Sequence, residues 1–243
     1  MDTQLKPLLL IKPKGITSFF AVSQLKKVLP KKTKIGHCGT LDPMAEGLLI
    51  VLIGREQTKL QNHFLNLNKK YVATITFGVS SNTYDTDINS ILEFSKNTND
   101  LINLSIDKIK QVLGSNFKGE ILQTVPAFSA VKVNGIKLYS KSYKNEEIDI
   151  LPTRKVNIYN YKILSFTNDY KLGTNDINLL PKLVVEFEVS KGTYIRSIAN
   201  DLGNILQVSA VLSGLTRTQI GEFKIENALS IDDAKEFLVN NPI

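Results

Sequence analysis

The sequence predicts a single fold of mixed helices and strands, and three patterns carry that prediction. Leu48 to Ile53 is an unbroken apolar run, short enough to be a strand buried on both faces. Two stretches, Lys69 to Gly78 and Leu183 to Val189, alternate apolar and other residues with the period of a strand that shows its faces to different surroundings. Val22, Leu25 and Leu29, and later Ile195, Ile198, Leu202, Ile205 and Leu206, recur at helical spacing. A chain of 243 residues is long enough to bury a core in one domain, or in one large domain with a small appendage.

Taken in order, Leu8 to Ile11 reads as a short strand stopped by the turn Lys12-Pro13-Lys14-Gly15. Thr17 or Ser18 can cap the helix that follows, and Pro30 closes it. Lys31, Lys32 and Lys34 form a basic run that fits a solvated patch or a phosphate contact equally well. Gly36 to Gly47 has the period of neither a helix nor a strand and reads as a shaped loop ahead of the buried run. Gly54 to Asn62 reads as a short helix. In Lys69 to Gly78, Tyr71, Ala73, Ile75 and Phe77 share one face. Ser105 caps a helix with Ile106, Ile109, Val112 and Leu113 along one side, and Arg154 to Leu164 and Leu183 to Val189 are two further strands. The polar stretch between them, Asn168 to Asn178, reads as a hairpin loop. Ser190 to Ser197 leads into a helix, and Ser230 with Asp233 opens a last amphipathic one.

Thirty Lys and Arg against 23 Asp and Glu leave a formal charge of +7, which suits a polyanionic partner. The one cysteine cannot make an internal disulfide, and no early segment has the pattern of a secretion signal, so the expected compartment is a reducing cytoplasm. No apolar run approaches the ~20 residues of a membrane span. Neither a Gly-x-Gly-x-x-Gly fingerprint nor a P-loop is present, and no cofactor is expected. One cysteine and two histidines, with His37 beside Cys38, do not supply the ligands of a zinc-dependent nucleobase deaminase.

Within the shaped loop the candidate for chemistry is Asp42. Pro43 restricts its backbone towards extended geometry, and the buried strand follows at once, so its carboxylate is expected at the lip of the core. The run His37-Cys38-Gly39-Thr40-Leu41-Asp42-Pro43, followed by Gly47 and an apolar strand, resembles the signature of the TruB family of tRNA pseudouridine synthases, with Asp42 in the place of the catalytic aspartate. Further stretches resemble that family in its order. Lys70-Tyr71 with Gly78 and Thr83 to Asp87 is similar to the motif whose tyrosine stacks on the target base. Gln123 to Lys132, with Gly135 and Leu138-Tyr139, is similar to a cleft-lining segment in which Lys132 is a phosphate contact or a plain surface lysine. Gly192-Thr193-Tyr194-Ile195-Arg196 is similar to the motif whose arginine pairs with the catalytic aspartate and whose tyrosine packs in the pocket. An arginine in the first turn opposes the helix dipole and calls for an anionic partner, for which Asp42 is the expectation. Leu215-Thr216-Arg217-Thr218 with Gly221 and Phe223 is similar to the closing element, with Leu215 on the pocket wall and Arg217 towards substrate.

The chain departs from the family pattern at Ile11, where an acidic residue is usual, at Val125 in place of a second proline, and at Thr216 in place of an arginine. The resemblance runs from about Leu8 to Phe223. It implies an α+β fold, a long mixed, mostly antiparallel sheet flanked by helices with a central RNA-binding cleft. It implies a catalytic domain over residues 1–229 and a short C-terminal helix over 230–243, too few residues for the RNA-binding PUA module that many relatives carry. The implied activity is isomerisation of uridine 55 in the T loop of tRNA to pseudouridine. Asp42 is then the nucleophile, ionised at neutral pH as an ordinary aspartate of pKa about 3.9 would be. Tyr71 stacks on the flipped base, His37 fills the space it leaves, and Arg196 completes the catalytic set. Asp85 is expected to order its loop. The implied partner is the T arm of tRNA, with no membrane and no protein partner; oligomeric state is not legible, and a monomer is favoured. The alternative is a non-catalytic tRNA-binding or tRNA-folding factor that retains the cleft.

Overall fold

The structure is a computed structural model that describes residues 6–88, 90–95, 98–133, 136–138, 151–168 and 176–241. In chain order its elements are β1 (Leu8–Lys12), α1 (Ser18–Lys26), β2 (Ile35–Cys38), β3 (Glu46–Ile53), α2 (Arg55–Lys59), α3 (Gln61–Asn66) and β4 (Lys69–Phe77). Next come β5 (Val79–Ser81), β6 (Leu92–Phe94), α4 (Thr98–Ile102), α5 (Ile106–Asn116), β7 (Gly119–Thr124), β8 (Lys132–Val133), β9 (Ile136–Lys137) and β10 (Thr153–Thr167). The chain continues through β11 (Lys182–Val189), α6 (Ile195–Leu206), β12 (Ala210–Ile220), β13 (Phe223–Lys224) and α7 (Ile231–Asn240). The fold is α+β, with mixed sheet flanked by helices. The chain divides into two compact units, residues 1–72 with 215–243, and residues 73–214.

In the first unit the strand order is β1-β3-β12. β3 is buried from Gly47 onward because both its faces are covered. Leu49, Val51 and Ile53 pack with Ala21, Val22 and Leu25 of α1 and with Ala234 and Leu238 of α7. Leu48, Ile50 and Leu52 pack with Phe64 of α3 and with Ile220. The two edges of β3 are used differently. β1 runs antiparallel along one edge, from Leu8 opposite Val51 to Lys12 opposite Gly47. The other edge is shared: β12 pairs in parallel only at Glu46 and Gly47, and β2 pairs antiparallel from Ile50 to Ile53. The first three residues of the expected loop are therefore strand, and the expected helix over 54–62 is two short ones broken at Leu60. Thr17, not Ser18, caps α1, accepting the Phe20 amide. Ser230 caps α7 and takes part in a reciprocal bond with Asp233.

In the second unit the order is β4-β11-β10-β7, with β10 antiparallel to both neighbours. β11 alternates as its sequence requires, burying Leu183, Val185, Phe187 and Val189. Ser105 caps α5, whose Ile109 and Leu113 are buried, and α5 packs on α6. Ile205, expected on the buried side of α6, is 46% exposed, because the buried stripe turns through Ile195, Ile198, Leu202 and Leu206 and leaves it on the flank. Most of the expected 168–178 hairpin loop, and Gly135 and Tyr139, lie outside the described residues. Among the described residues no helix is long and apolar enough to cross a membrane.

Candidate active site

Asp42 stands on the connection between β2 and β3, half-buried, and its shape is imposed by a short turn and three clamps. The turn is closed by the Ala45 amide donating to the Asp42 carbonyl at 3.1 Å, with Pro43 in the position where a fixed φ is favoured. The first clamp is Ser18, 1% exposed, whose hydroxyl donates to the Leu41 carbonyl at 3.1 Å and accepts the Leu41 amide at 2.8 Å. The second is the Gly15 amide, which donates to the Pro43 carbonyl at 2.8 Å. The residues on either side of Asp42 are thus bonded to one short segment, Gly15 to Ser18. Lys12, fully buried, steadies that segment by donating to the carbonyls of Pro13 and Ile16 at 2.9 and 2.7 Å.

The third clamp is Arg217. Leu48 lies just where β12 has left the shared edge of β3 and β2 has not yet joined it, so its carbonyl lacks a strand partner on that edge. The Arg217 Nε donates to it at 2.7 Å, and Nη2 donates to the carbonyl of Gly39, just beyond β2, at 3.1 Å. Arg217 is 1% exposed. The residue expected to face substrate instead closes the gap in the sheet from which the Asp42 loop departs. Its neighbour Thr216, where the family pattern has an arginine, bonds Glu46 at 3.2 Å on the surface. Room for the crossing is made at Gly47: a Cβ there would stand 2.4 Å from the Arg217 carbonyl oxygen, and its φ is 110°.

The same guanidinium adds a positive charge that both His37 and Cys38 feel. His37 lies opposite Val51 on the α1 face of the sheet and is half-buried. Its Nδ1 is buried without a hydrogen-bond partner. Burial, and secondarily the charge on Arg217, holds the imidazole below its usual pKa, so it is neutral near pH 7. Cys38 faces the opposite way, into the core opposite Ile50, and burial raises its thiol to about 11 against the opposing influence of Lys69 and Arg217. Tyr71 on β4 and Leu215 on β12, in the same unit, are both buried, each 9% exposed. A cavity of about 890 Å³ lined by Leu8, Leu9, Ile53, Phe237 and Leu238 lies at the other end of β3 from the loop.

The second unit carries Arg196, Tyr194 and Lys132. Arg196 sits in the first turn of α6, 4% exposed. Its Nε is 3.6 Å from the Asp85 carboxylate, also buried, and its Nη1 and Nη2 donate to the carbonyls of Thr83 and Phe128, each at 3.0 Å. An anionic partner at the helix N-terminus was expected from the dipole, and within this unit Asp85 is one. Asp85 also orders its loop, accepting from Thr83 Oγ1 at 2.6 Å, Ser90 Oγ at 3.0 Å and the Asp87 amide at 3.2 Å. Tyr194 is held by Gln123, whose side-chain amide bonds both the Tyr194 amide and carbonyl, at 2.8 and 3.0 Å. The Arg154 guanidinium lies 5.2 Å from the centre of its ring. Lys132 falls in the two-residue strand β8. Ser18 as a clamp, Arg154 and the Asp85–Arg196 pair were not read from the sequence; each joins residues far apart in the chain and leaves no local pattern. Among the described residues no three His, Cys, Asp or Glu side chains are gathered as a metal site.

Comparison with known proteins adds a family to this geometry. Residues 26–195 match the family model described as TruB family pseudouridylate synthase (N terminal domain). The chain is similar to "tRNA pseudouridine synthase B" of Endomicrobium trichonymphae, with 42% identity over 93% of this chain and 89% of the relative. It is similar to the protein of that name from Staphylococcus saprophyticus, with 38% identity over 92% of this chain and 69% of the relative. Among solved structures it is similar to a chain of a Cbf5-Nop10-Gar1 complex, with TM-score 0.68 and 28% identity, over 98% of this chain and 56% of that one. It thus spans a little over half the length of that solved chain.

Proposed function

The chain belongs to the TruB family of pseudouridylate synthases, and on that premise we propose that it isomerises a uridine of tRNA to pseudouridine, at position 55 in the T loop. The observation that supports this most directly is Asp42: a carboxylate on a loop whose flanking residues are pinned by Ser18 and Gly15. Preorganisation of this kind is what a nucleophile needs, since it must meet a flipped base or its sugar without first paying to order itself.

In the reaction the bond from C1′ to N1 breaks, the base turns, a bond from C1′ to C5 forms, C5 loses its proton and N1 gains one. Asp42 acts as the nucleophile, as a glycosidase carboxylate does at an anomeric carbon. The base reaches it by leaving the loop stack, which costs a few kcal/mol. Tyr71 stacks on the extruded base, and neutral His37 occupies the space left behind. Arg196 is carried over as a catalytic residue, with Tyr194, Leu215 and Lys132 towards substrate.

The test is tritium release from tRNA transcribed with uridine labelled at C5, for wild type beside Asp42→Asn. The expected result is about one equivalent released per tRNA by wild type, none by the variant, and tRNA binding unchanged within a few fold. Release should vanish when the T-loop uridine is replaced by cytidine, and a T-arm hairpin should serve nearly as well as full tRNA. Turnover by Asp42→Asn removes the assignment of the nucleophile. No release by wild type that still binds tRNA favours the reading as a non-catalytic tRNA-binding factor.

A further inference from the structure

Helix α1 is apolar on two sides. Ser18, Ala21, Val22 and Leu25 face the core, as an amphipathic helix requires. On the other side Phe19 is 78% exposed and Phe20 is 50% exposed. Two adjacent phenylalanines left in water contribute little to the fold and mark a surface that something covers.

Their position says what. The clamps on the residues flanking Asp42 come from Gly15 and Ser18, and Phe19 and Phe20 are the next two residues of the chain. The Phe20 amide donates to the Thr17 hydroxyl at 3.0 Å, so the backbone that carries both rings is fixed to the segment that fixes Asp42. Lys14 is exposed just before this segment, and Lys26 and Lys27 are exposed in the last turn of α1, about 10 Å along the axis from the phenylalanines at 1.5 Å per residue. From the rim of the Asp42 loop outward, the helix presents aromatic faces and then positive charge. Surfaces that bind unpaired nucleic acid combine the same two elements.

We propose that Phe19 and Phe20 form a stacking platform for an unpaired base of the RNA substrate outside the target position, with Lys14, Lys26 and Lys27 along the adjoining phosphates. The inference rests on the reading of the chain as a tRNA pseudouridine synthase. A second copy of the chain could also cover two phenylalanines, but the lysines on the same helix and the formal charge of +7 favour a polyanion.

The experiment is steady-state tritium release from C5-labelled tRNA by wild type, the double variant Phe19→Ala/Phe20→Ala and the double variant Phe19→Tyr/Phe20→Tyr, with thermal melting and sedimentation of each. Loss of one stacked base should raise KM about tenfold in the alanine variant, and kcat should stay within about twofold because Asp42 keeps its clamps. The tyrosine variant, which retains two stacking faces, should restore KM, and melting should be unchanged because the rings are exposed. An unchanged KM in an active alanine variant overturns the platform and leaves the proposed function standing. So does a fall in melting temperature together with kcat, which would make the rings structural, or a wild-type dimer that the alanine variant dissociates. Wild type that releases no tritium removes the proposed function, and the platform with it.

Discussion

Replacing Ser18 with alanine deletes one oxygen atom and leaves both backbone groups of Leu41 without their partner. The site is buried, Ser18 at 1% and Leu41 at 3% exposure, so water does not simply take the place of the hydroxyl. An unsatisfied buried donor or acceptor costs roughly 1–3 kcal/mol, which puts the pair at about 2–6 kcal/mol, the lower half being expected if the loop relaxes. At about 3 kcal/mol, and 2–4 °C per kcal/mol for a chain of this size, the melting temperature should fall by roughly 6–12 °C. Activity should fall as well, because a shift of about 1 Å in Asp42 can cost on the order of a hundredfold in kcat. Thr17→Ala is the control: it removes the cap of the same helix without touching Leu41, costing about 1 kcal/mol, and should leave kcat alone. The assay is calorimetric or fluorescence melting beside tritium release below the melting temperature. If Ser18→Ala melts and turns over like wild type, the clamp does not hold the loop.

Two further outcomes are expected. Gly47→Ala should cut soluble yield or melting temperature more than Ser18→Ala does, because its Cβ would stand 2.4 Å from the Arg217 carbonyl oxygen at a φ of 110°; a circular-dichroism melt within a few degrees of wild type would refute the close crossing. His37 should make the protein acid-sensitive. Burial, with help from Arg217, holds its folded pKa below the ordinary 6.5, so the unfolded chain takes up that proton first as pH falls. The stability contributed by the neutral ring is whole above 6.5 and is lost as pH drops through that value towards the folded one. Urea melts at two pH values either side of it should show wild type losing more stability on acidification than His37→Asn, and equal losses would count against the assignment.

What could be read in advance was local. The six-residue apolar run announced β3, alternation announced β4 and β11, and the serines before α5 and α7 announced their caps, because each of these is decided by neighbours a few positions away. β2 was missed because Ile35 to Cys38 has no alternation; it is strand because β3 has half an edge free after β12 departs. Arg217 was read as facing substrate from its place in a family pattern, and its burial depends on two carbonyls, one of them 169 positions away. Asp85 was read correctly as the organiser of its loop, but its pairing with Arg196 spans more than a hundred residues and no periodicity signals it. Motif resemblance pointed to Asp42, while the bonds from Ser18 to Leu41 that pin its loop were not read from the sequence.

The bond from Arg217 to Leu48 has a consequence for how the protein is made. Leu48, at the base of the Asp42 loop, is made 169 residues before the guanidinium that seals the sheet there. At synthesis rates of about 5–20 residues per second, that interval is on the order of ten seconds or more. Over that time the first strands can pair with each other, but β3 has half an edge open and the carbonyls of Leu48 and Gly39 lack this donor. Contacts of such long sequence separation form late because the intervening chain must first be brought together. The loop therefore lacks this seal until Arg217 has been made.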